Sequence, residues 1–178
     1  MSRDVVWLVG SGAMAQAYAS VLGSLDVDFT VIGRGETSAS AFEEATGHAV
    51  RTGGARAAIA ESSVPATAIV AVGVDHLADT ACALLDAGVK RLLLEKPGGL
   101  SGVELSAIAD KSPFAEVIIA YNRRHFASTT AARRMISEDG GVTSFAFEVT
   151  EWPHATEPRQ VDPAVRSRWF LAQSSHVV

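Results

Sequence analysis

The sequence predicts an α/β fold, a doubly wound parallel sheet followed by the start of an α+β segment. Three observations predict it. Short continuous apolar runs recur along the first 121 residues, the pattern of strands buried on both faces of a sheet. Stretches with helical periodicity separate them, so strand and helix alternate as in βαβ units. The first and second runs stop at glycine, in Gly10-Ser11-Gly12 and Gly33-Arg34-Gly35, as strand-to-helix turns do. Crossovers between parallel strands are expected to be right-handed.

In chain order, Val5-Val6-Trp7-Leu8-Val9 is the first strand, and the Ala-rich stretch from Ala13 to Leu25 is the first helix. Phe29-Thr30-Val31-Ile32 is the second strand, and residues 38–46 read as a helix. A weak third strand from His48 to Arg51 precedes a short helix, Ala55 to Glu61. Ala68 to Val72 is the fourth strand, and Leu77 to Ala87 a helix that Gly88 closes. Val89 to Leu94 is the fifth strand, ending in Glu95-Lys96-Pro97. Ser101 begins a helix running to Asp110, with Glu104 three residues on as a capping box. Glu116 to Tyr121 is the sixth strand.

The pattern then changes, which places a boundary between a first domain, 1–122, and the beginning of a second, 123–178. Phe126 to Glu138 reads as a helix stopped by Asp139-Gly140-Gly141, and Val142 to Val149 alternates like an antiparallel strand. Pro153, Pro158 and Pro163 make the next segment irregular. The last stretch, ending Ser-His-Val-Val, reads as the opening of an element that is cut off.

Composition sets the outer bounds. The chain has 178 residues, 48% of them apolar and 20% charged, which suits one domain with its own core plus part of another. A net charge of −5 argues against binding nucleic acid or anionic membranes, which needs positive surface. One cysteine, Cys82, excludes an intrachain disulfide, and its apolar surroundings read as a buried structural thiol. The longest strongly apolar run, Ala66 to Val74, is far shorter than the roughly 20 residues a bilayer needs. The first residues imitate a signal peptide, but Asp4 spoils its basic end and Gly10 and Gly12 interrupt its apolar core, so a cytoplasmic protein is expected.

Gly10-Ser11-Gly12-Ala13-Met14-Ala15 is a G-x-G-x-x-A sequence that follows a strand and opens a helix. In that context it is a dinucleotide fingerprint. Gly10 permits the tight turn, Gly12 lets a pyrophosphate approach, and Ala15 allows close helix–strand packing. The N–H groups and positive dipole end of the helix hold the anion. A site selective for NAD needs a carboxylate at the end of the second strand. Gly33 and Arg34 stand there instead, leaving room for a 2′-phosphate and offering a guanidinium to pair with it, so NADP is favoured and NAD stays open.

Two further groups sit at carboxyl ends of strands, where open α/β sheets bind ligands. Lys96, in Glu95-Lys96-Pro97, can bond a reacting hydroxyl or carbonyl and stabilise oxyanion charge; a salt-bridged surface lysine is the plain alternative. Tyr121-Asn122-Arg123-Arg124-His125 is the other group, and its arginines also suit a solvated helix start. No two of the five histidines stand at metal-binding spacing, so no metal is expected.

Taken together, GSGAMA, EKP and YNRRH at these separations resemble the glucose–fructose oxidoreductase / inositol dehydrogenase / MocA family. The resemblance covers the whole chain, against about the amino-terminal half of a typical member. It implies a Rossmann domain followed by an α+β domain that carries the substrate site and the oligomer interface, hence a homo-oligomer. It also implies hydride transfer between a nicotinamide and a hydroxyl or carbonyl carbon of a sugar, sugar nucleotide or cyclitol. On this resemblance Lys96 contacts nicotinamide ribose and substrate, and Glu95 positions the cofactor. Gly73 and His76, after the fourth strand, lie near the cofactor, and Asn122 and Arg123 beside nicotinamide and substrate. His176 matches a catalytic histidine that also touches substrate. The acid expected four residues before it is Ala172 here. A dinucleotide-binding sensor or regulator without turnover is the alternative from another class. A small Rossmann reductase acting on a cyclic imine or tetrapyrrole is a third reading, which EKP followed by YNRR opposes.

Overall fold

The computed structural model describes residues 5–146, 148 and 163–173. The chain divides into two compact units, Met1–Ala120 and Tyr121–Val178.

In the first unit, β1 (Val6–Val9), β2 (Phe29–Ile32), β3 (Val50–Arg51), β4 (Thr67–Val70), β5 (Arg91–Leu94) and β6 (Glu116–Ile119) form one parallel sheet of order β3-β2-β1-β4-β5-β6. This is the doubly wound order, with the direction of winding reversing between β1 and β4. The connections are α1 (Ala13–Ser24), α2 (Glu36–Thr46), α3 (Gly54–Glu61), α4 (Leu77–Asp86) and α5 (Gly102–Lys111), with a 3₁₀ turn, Val74–His76, before α4.

All four residues of β1 are buried, and they serve two cores in alternation. Val6 and Leu8 join Ala15, Ala19 and Leu22 of α1 and Phe42 of α2 on one face. Trp7 and Val9 join Ala58 of α3, Leu77, Ala81 and Leu84 of α4 and Ile108 of α5 on the other. A continuous apolar run is thus what a strand with helices on both faces requires. Cys82 is only half-buried, packed against the second of these cores, and burial pushes its thiol pKa up. Ser101 accepts the Glu104 N–H, and the Glu104 carboxylate accepts the Leu100 N–H at 2.5 Å, so the capping box closes one residue beyond the cap.

In the second unit a 3₁₀ turn, Asn122–His125, leads into α6 (Ala127–Glu138), which ends at Gly140 and Gly141, both at positive φ. The strand expected over 142–149 is not formed at residues 142–146, which are irregular. Alternation alone makes no strand: it needs a neighbour for its N–H and C=O groups, and none pairs with it among the described residues. Pro163–Arg166 and Trp169–Gln173 are short helical turns with Val165 and Ala172 buried.

Candidate functional site

Parallel strands put every carboxyl end on one edge, and the pairing register aligns them. Val9 stands beside Ile32 and Val70, Ile32 beside Arg51, and Val70 beside Leu94. The predicted Gly10, Gly33, Gly73 and Glu95 therefore all follow the last rungs of neighbouring strands.

Gly10 is dictated by its surroundings. Its φ is +130°, and a Cβ there would lie 2.2 Å from the Ala71 carbonyl oxygen. Its N–H donates to Ile32 O at 2.8 Å while Ala71 N–H donates to Val9 O at 2.8 Å, so β1 is tied to both neighbours where the winding reverses. Gly12 differs. It caps α1 in extended conformation, φ −91°, and a Cβ there would meet nothing within 4 Å. No side chain caps this helix end and no acid stands in its first turn. The first N–H groups of α1 thus face open space with the positive end of the dipole behind them, an arrangement fitted to a pyrophosphate. Ala15 is fully buried in the core under α1, so its methyl is the close-packing residue of the motif. Met14 is exposed.

Ser11 turns away from that opening. Its Oγ donates to Ser38 Oγ at 2.9 Å, and Ser38 Oγ donates to Gly35 O at 3.1 Å, linking the glycine turn to α2. Gly33, expected to leave room for a phosphate, lies beside this link. A Cβ at Gly33 would lie 2.7 Å from Val50 Cγ1 and 3.0 Å from Ser11 Oγ, so the missing side chain is space already filled by β3 and the turn.

Arg34 is exposed, and its Nη1 lies 2.6 Å from Nε2 of His76, joining the ends of β2 and β4. Asp75 Oδ2 lies 3.3 Å from the same ring nitrogen. Gly73 makes room for this aspartate, since a Cβ there would lie 2.7 Å from Asp75 Oδ1. Gly53 and Gly54, both at positive φ, run beside the end of β2: Gly54 N–H donates to Gly33 O at 2.9 Å, and Arg34 Cγ lies 3.9 Å from where a Gly54 Cβ would be. Sequence reading missed this pair, although consecutive glycines after a strand are the signal for such a turn.

Glu95 follows β5, and its N–H donates to Val70 O at 2.9 Å. Tyr18 of α1 donates its phenol O–H to Glu95 Oε1 at 2.7 Å, and the Lys96 N–H donates to Glu95 Oε2 at 3.2 Å. Both carboxylate oxygens are thereby engaged, one by the helix under the glycine turn and one by the lysine's own backbone. Burial first, then the Glu95 hydrogen bond and charge, push the Tyr18 pKa well above the ordinary phenol range. Lys96 is half-buried, Pro97 is fully buried and the bond between them is cis. Tyr18 was also missed. It shares the inward stripe of α1 with Ala15, Ala19 and Leu22, and a phenol on a core stripe needs a partner for its O–H.

Asn122 and Arg123 belong to the second unit, in its 3₁₀ turn, where Arg123 O accepts from Phe126 N–H at 3.0 Å and Thr129 Oγ1 at 2.9 Å. His176 lies outside the described residues; Ala172 is fully buried on its helical turn. Among the described residues no cluster of His, Cys, Asp and Glu could hold a metal ion, and no helix is long and apolar enough to cross a membrane.

No family model and no curated protein matches the chain. Solved structures do. The WlbA dehydrogenase of Bordetella pertussis, in complex with NADH and UDP-GlcNAcA, matches 76% of this chain with TM-score 0.67 at 15% identity. Levoglucosan dehydrogenase, in complex with NADH and L-sorbose, matches 78% with TM-score 0.65 at 21% identity. An NAD-binding protein of Listeria innocua matches 78% with TM-score 0.66 at 20% identity. The chain spans only 40–42% of the length of these three. The fold is thus shared with part of such dehydrogenases, a Rossmann-type sheet.

Proposed function

We propose that this chain is the cofactor-binding part of an NAD(P)-dependent oxidoreductase of the glucose–fructose oxidoreductase / inositol dehydrogenase / MocA type. It acts on a hydroxyl or carbonyl carbon of a sugar, sugar nucleotide or cyclitol and prefers NADP. The observation that carries the reading is the pairing of two features on one sheet edge. The uncapped end of α1, open at Gly12, stands where the winding reverses, and Lys96 stands at the end of β5 with its backbone fixed by Glu95. A complex of the same fold with NADH and a sugar compound supports the substrate class.

The residues divide the work. The α1 terminus holds the pyrophosphate through its N–H groups and dipole. Arg34 pairs with the 2′-phosphate through charge-assisted hydrogen bonds. Lys96 orients the substrate hydroxyl or carbonyl and stabilises negative charge on its oxygen as the proton leaves or arrives. Glu95 holds the Lys96 turn, and Tyr18 holds Glu95. On the family resemblance, Asn122 and Arg123 are nicotinamide- and substrate-contacting residues, His176 is a second proton-handling group, and the full-length protein is a homo-oligomer. The bound nicotinamide supplies the hydride acceptor or donor; everything else is orientation and electrostatics.

Titration with NADPH and NADH, then a screen of sugars, sugar nucleotides and cyclitols for turnover in the full-length protein, tests the proposal. Lys96→Ala should lower turnover roughly 10²-fold or more, with cofactor affinity changed far less. Unchanged turnover would make the lysine structural, and failure to bind either cofactor would end the reading.

A further inference from the structure

We propose that His76 is a second ligand of the 2′-phosphate, so that the turn after β4 and the end of β2 together select NADPH over NADH. The inference rests on the nicotinamide reading given above and adds to it a residue on another strand.

The first observation is that Arg34 and His76, 42 residues apart, meet at 2.6 Å. A guanidinium only donates, so in this contact the ring nitrogen is the accepting partner. Two basic side chains are thus turned to each other at one site.

The second is that Arg34 has no carboxylate partner among the described residues, whereas other basic side chains do. Arg51 pairs with Glu61 at 2.7 Å, Arg56 with Asp79 at 2.6 Å and Lys111 with Asp86 at 2.7 Å. Arg34 spends one N–H on a ring nitrogen and keeps the rest for an anion. The one carboxylate against the ring, Asp75, lies 3.3 Å from Nε2. Both of these contacts are made at Nε2, and in this proposal the other ring nitrogen, Nδ1, meets the phosphate.

The third is placement. The pair stands at the ends of β2 and β4, which flank β1 and the open α1 terminus, and the adenine-side ribose of a dinucleotide lies at the end of β2 in this fold. Gly53 and Gly54 bring no side chain to the Arg34 flank. A phosphate monoester offers three strong acceptor oxygens, which suits a planar guanidinium joined by a ring N–H.

The test uses this chain and two nucleotides that differ only by the phosphate in question, adenosine 2′,5′-bisphosphate and 5′-AMP, measured by calorimetric titration beside NADPH and NADH. His76→Ala should weaken the bisphosphate and NADPH roughly tenfold or more, while 5′-AMP and NADH stay within about twofold and the thermal midpoint holds. His76→Gln, which keeps an N–H donor, should recover part of the loss. Arg34→Ala should show the same selectivity with a larger effect. Removing both should cost less than the two separate losses combined, because the ligands share one phosphate. Equal weakening of both nucleotides by His76→Ala, or none, would overturn the inference and leave the preference for NADP standing if Arg34→Ala stays selective. Arg34→Ala without selectivity would overturn that preference and the inference with it.

Discussion

Gly10 and Gly12 are two residues apart in one motif, yet the structure assigns them different tasks, and a pair of substitutions separates them. At Gly12 the backbone sits at φ −91°, ψ −174°, extended conformation that a β-branched residue adopts readily, and an added Cβ meets nothing within 4 Å. Gly12→Val should therefore fold. Replacing a helix-capping glycine by valine costs at most about 1 kcal/mol, a shift of roughly 2–4 °C in Tm. The isopropyl group would occupy the space in front of the α1 N–H groups. If a pyrophosphate loses two hydrogen bonds there, each worth about 1.5–3 kcal/mol to a charged group, affinity falls about 10²- to 10⁴-fold for NADPH and NADH alike.

Gly10→Ala should do the reverse. Its Cβ would stand 2.2 Å from Ala71 O and 2.7 Å from Ala71 C, backbone atoms that can retreat only by parting β1 from β4. The φ of +130° adds about 1–3 kcal/mol of strain for any residue with a side chain. The combined cost should exceed about 3 kcal/mol, a large share of the roughly 5–15 kcal/mol that holds a domain folded. Chemical denaturation followed by circular dichroism, with fluorescence titration of both cofactors, distinguishes the two roles. A folded Gly12→Val protein that binds NADPH normally would refute the placement of the pyrophosphate, and a fully stable Gly10→Ala protein would refute the account of the strand junction.

Two other outcomes follow from the same geometry. Gly33→Ala should destabilise the protein by about 1–3 kcal/mol through contact with Val50 and Ser11, and Val50→Ala in the same chain should recover much of the loss in urea titrations. Tyr18 has a folded-state pKa above its unfolded value of about 10, so its contribution to stability is complete below about pH 10 and is lost as pH rises beyond it. Wild-type stability measured from pH 8 to 11 should fall more steeply at the alkaline end than that of Tyr18→Phe, and parallel curves would show that burial and Glu95 do not raise the phenol pKa.

What could be read from the sequence was what is local along the chain. Six strands and their helices were legible because each carries its own periodicity, and the glycine turn from β1 into α1 because its residues are contiguous. Boundaries moved by a residue or two where pairing, not hydrophobicity, ends a strand, as at Val70, where the apolar run continues to Val72. What lay hidden was contact between distant residues. Tyr18 and Glu95 are 77 residues apart, and nothing in either neighbourhood names the other. The contact of Arg34 with His76 is of the same kind. The crowding of Gly33 by Val50 and Ser11 was hidden too, because a glycine in sequence shows only that a side chain is missing, never which neighbour stands in its place. The expected strand after Val142 failed because alternation reports two faces and says nothing of a partner.

The Tyr18–Glu95 bond also bears on how one sheet edge can hold both ends of a dinucleotide. The α1 terminus and the Lys96 turn follow β1 and β5, with β4 between them, so no sheet hydrogen bond joins them directly. Two links bridge that gap. Backbone bonds run through β4, with Ala71 N–H on Val9 O and Glu95 N–H on Val70 O. The phenol of α1 crosses over it to the Glu95 carboxylate, whose other oxygen accepts from the Lys96 N–H. The helix that would grip the pyrophosphate and the turn that would face the nicotinamide are therefore held at fixed separation twice, once by the sheet and once by side chains. On the proposed function this matters because hydride transfer needs its reacting atoms placed to a fraction of an ångström, and a double tie between the α1 terminus and the Lys96 turn would supply that rigidity.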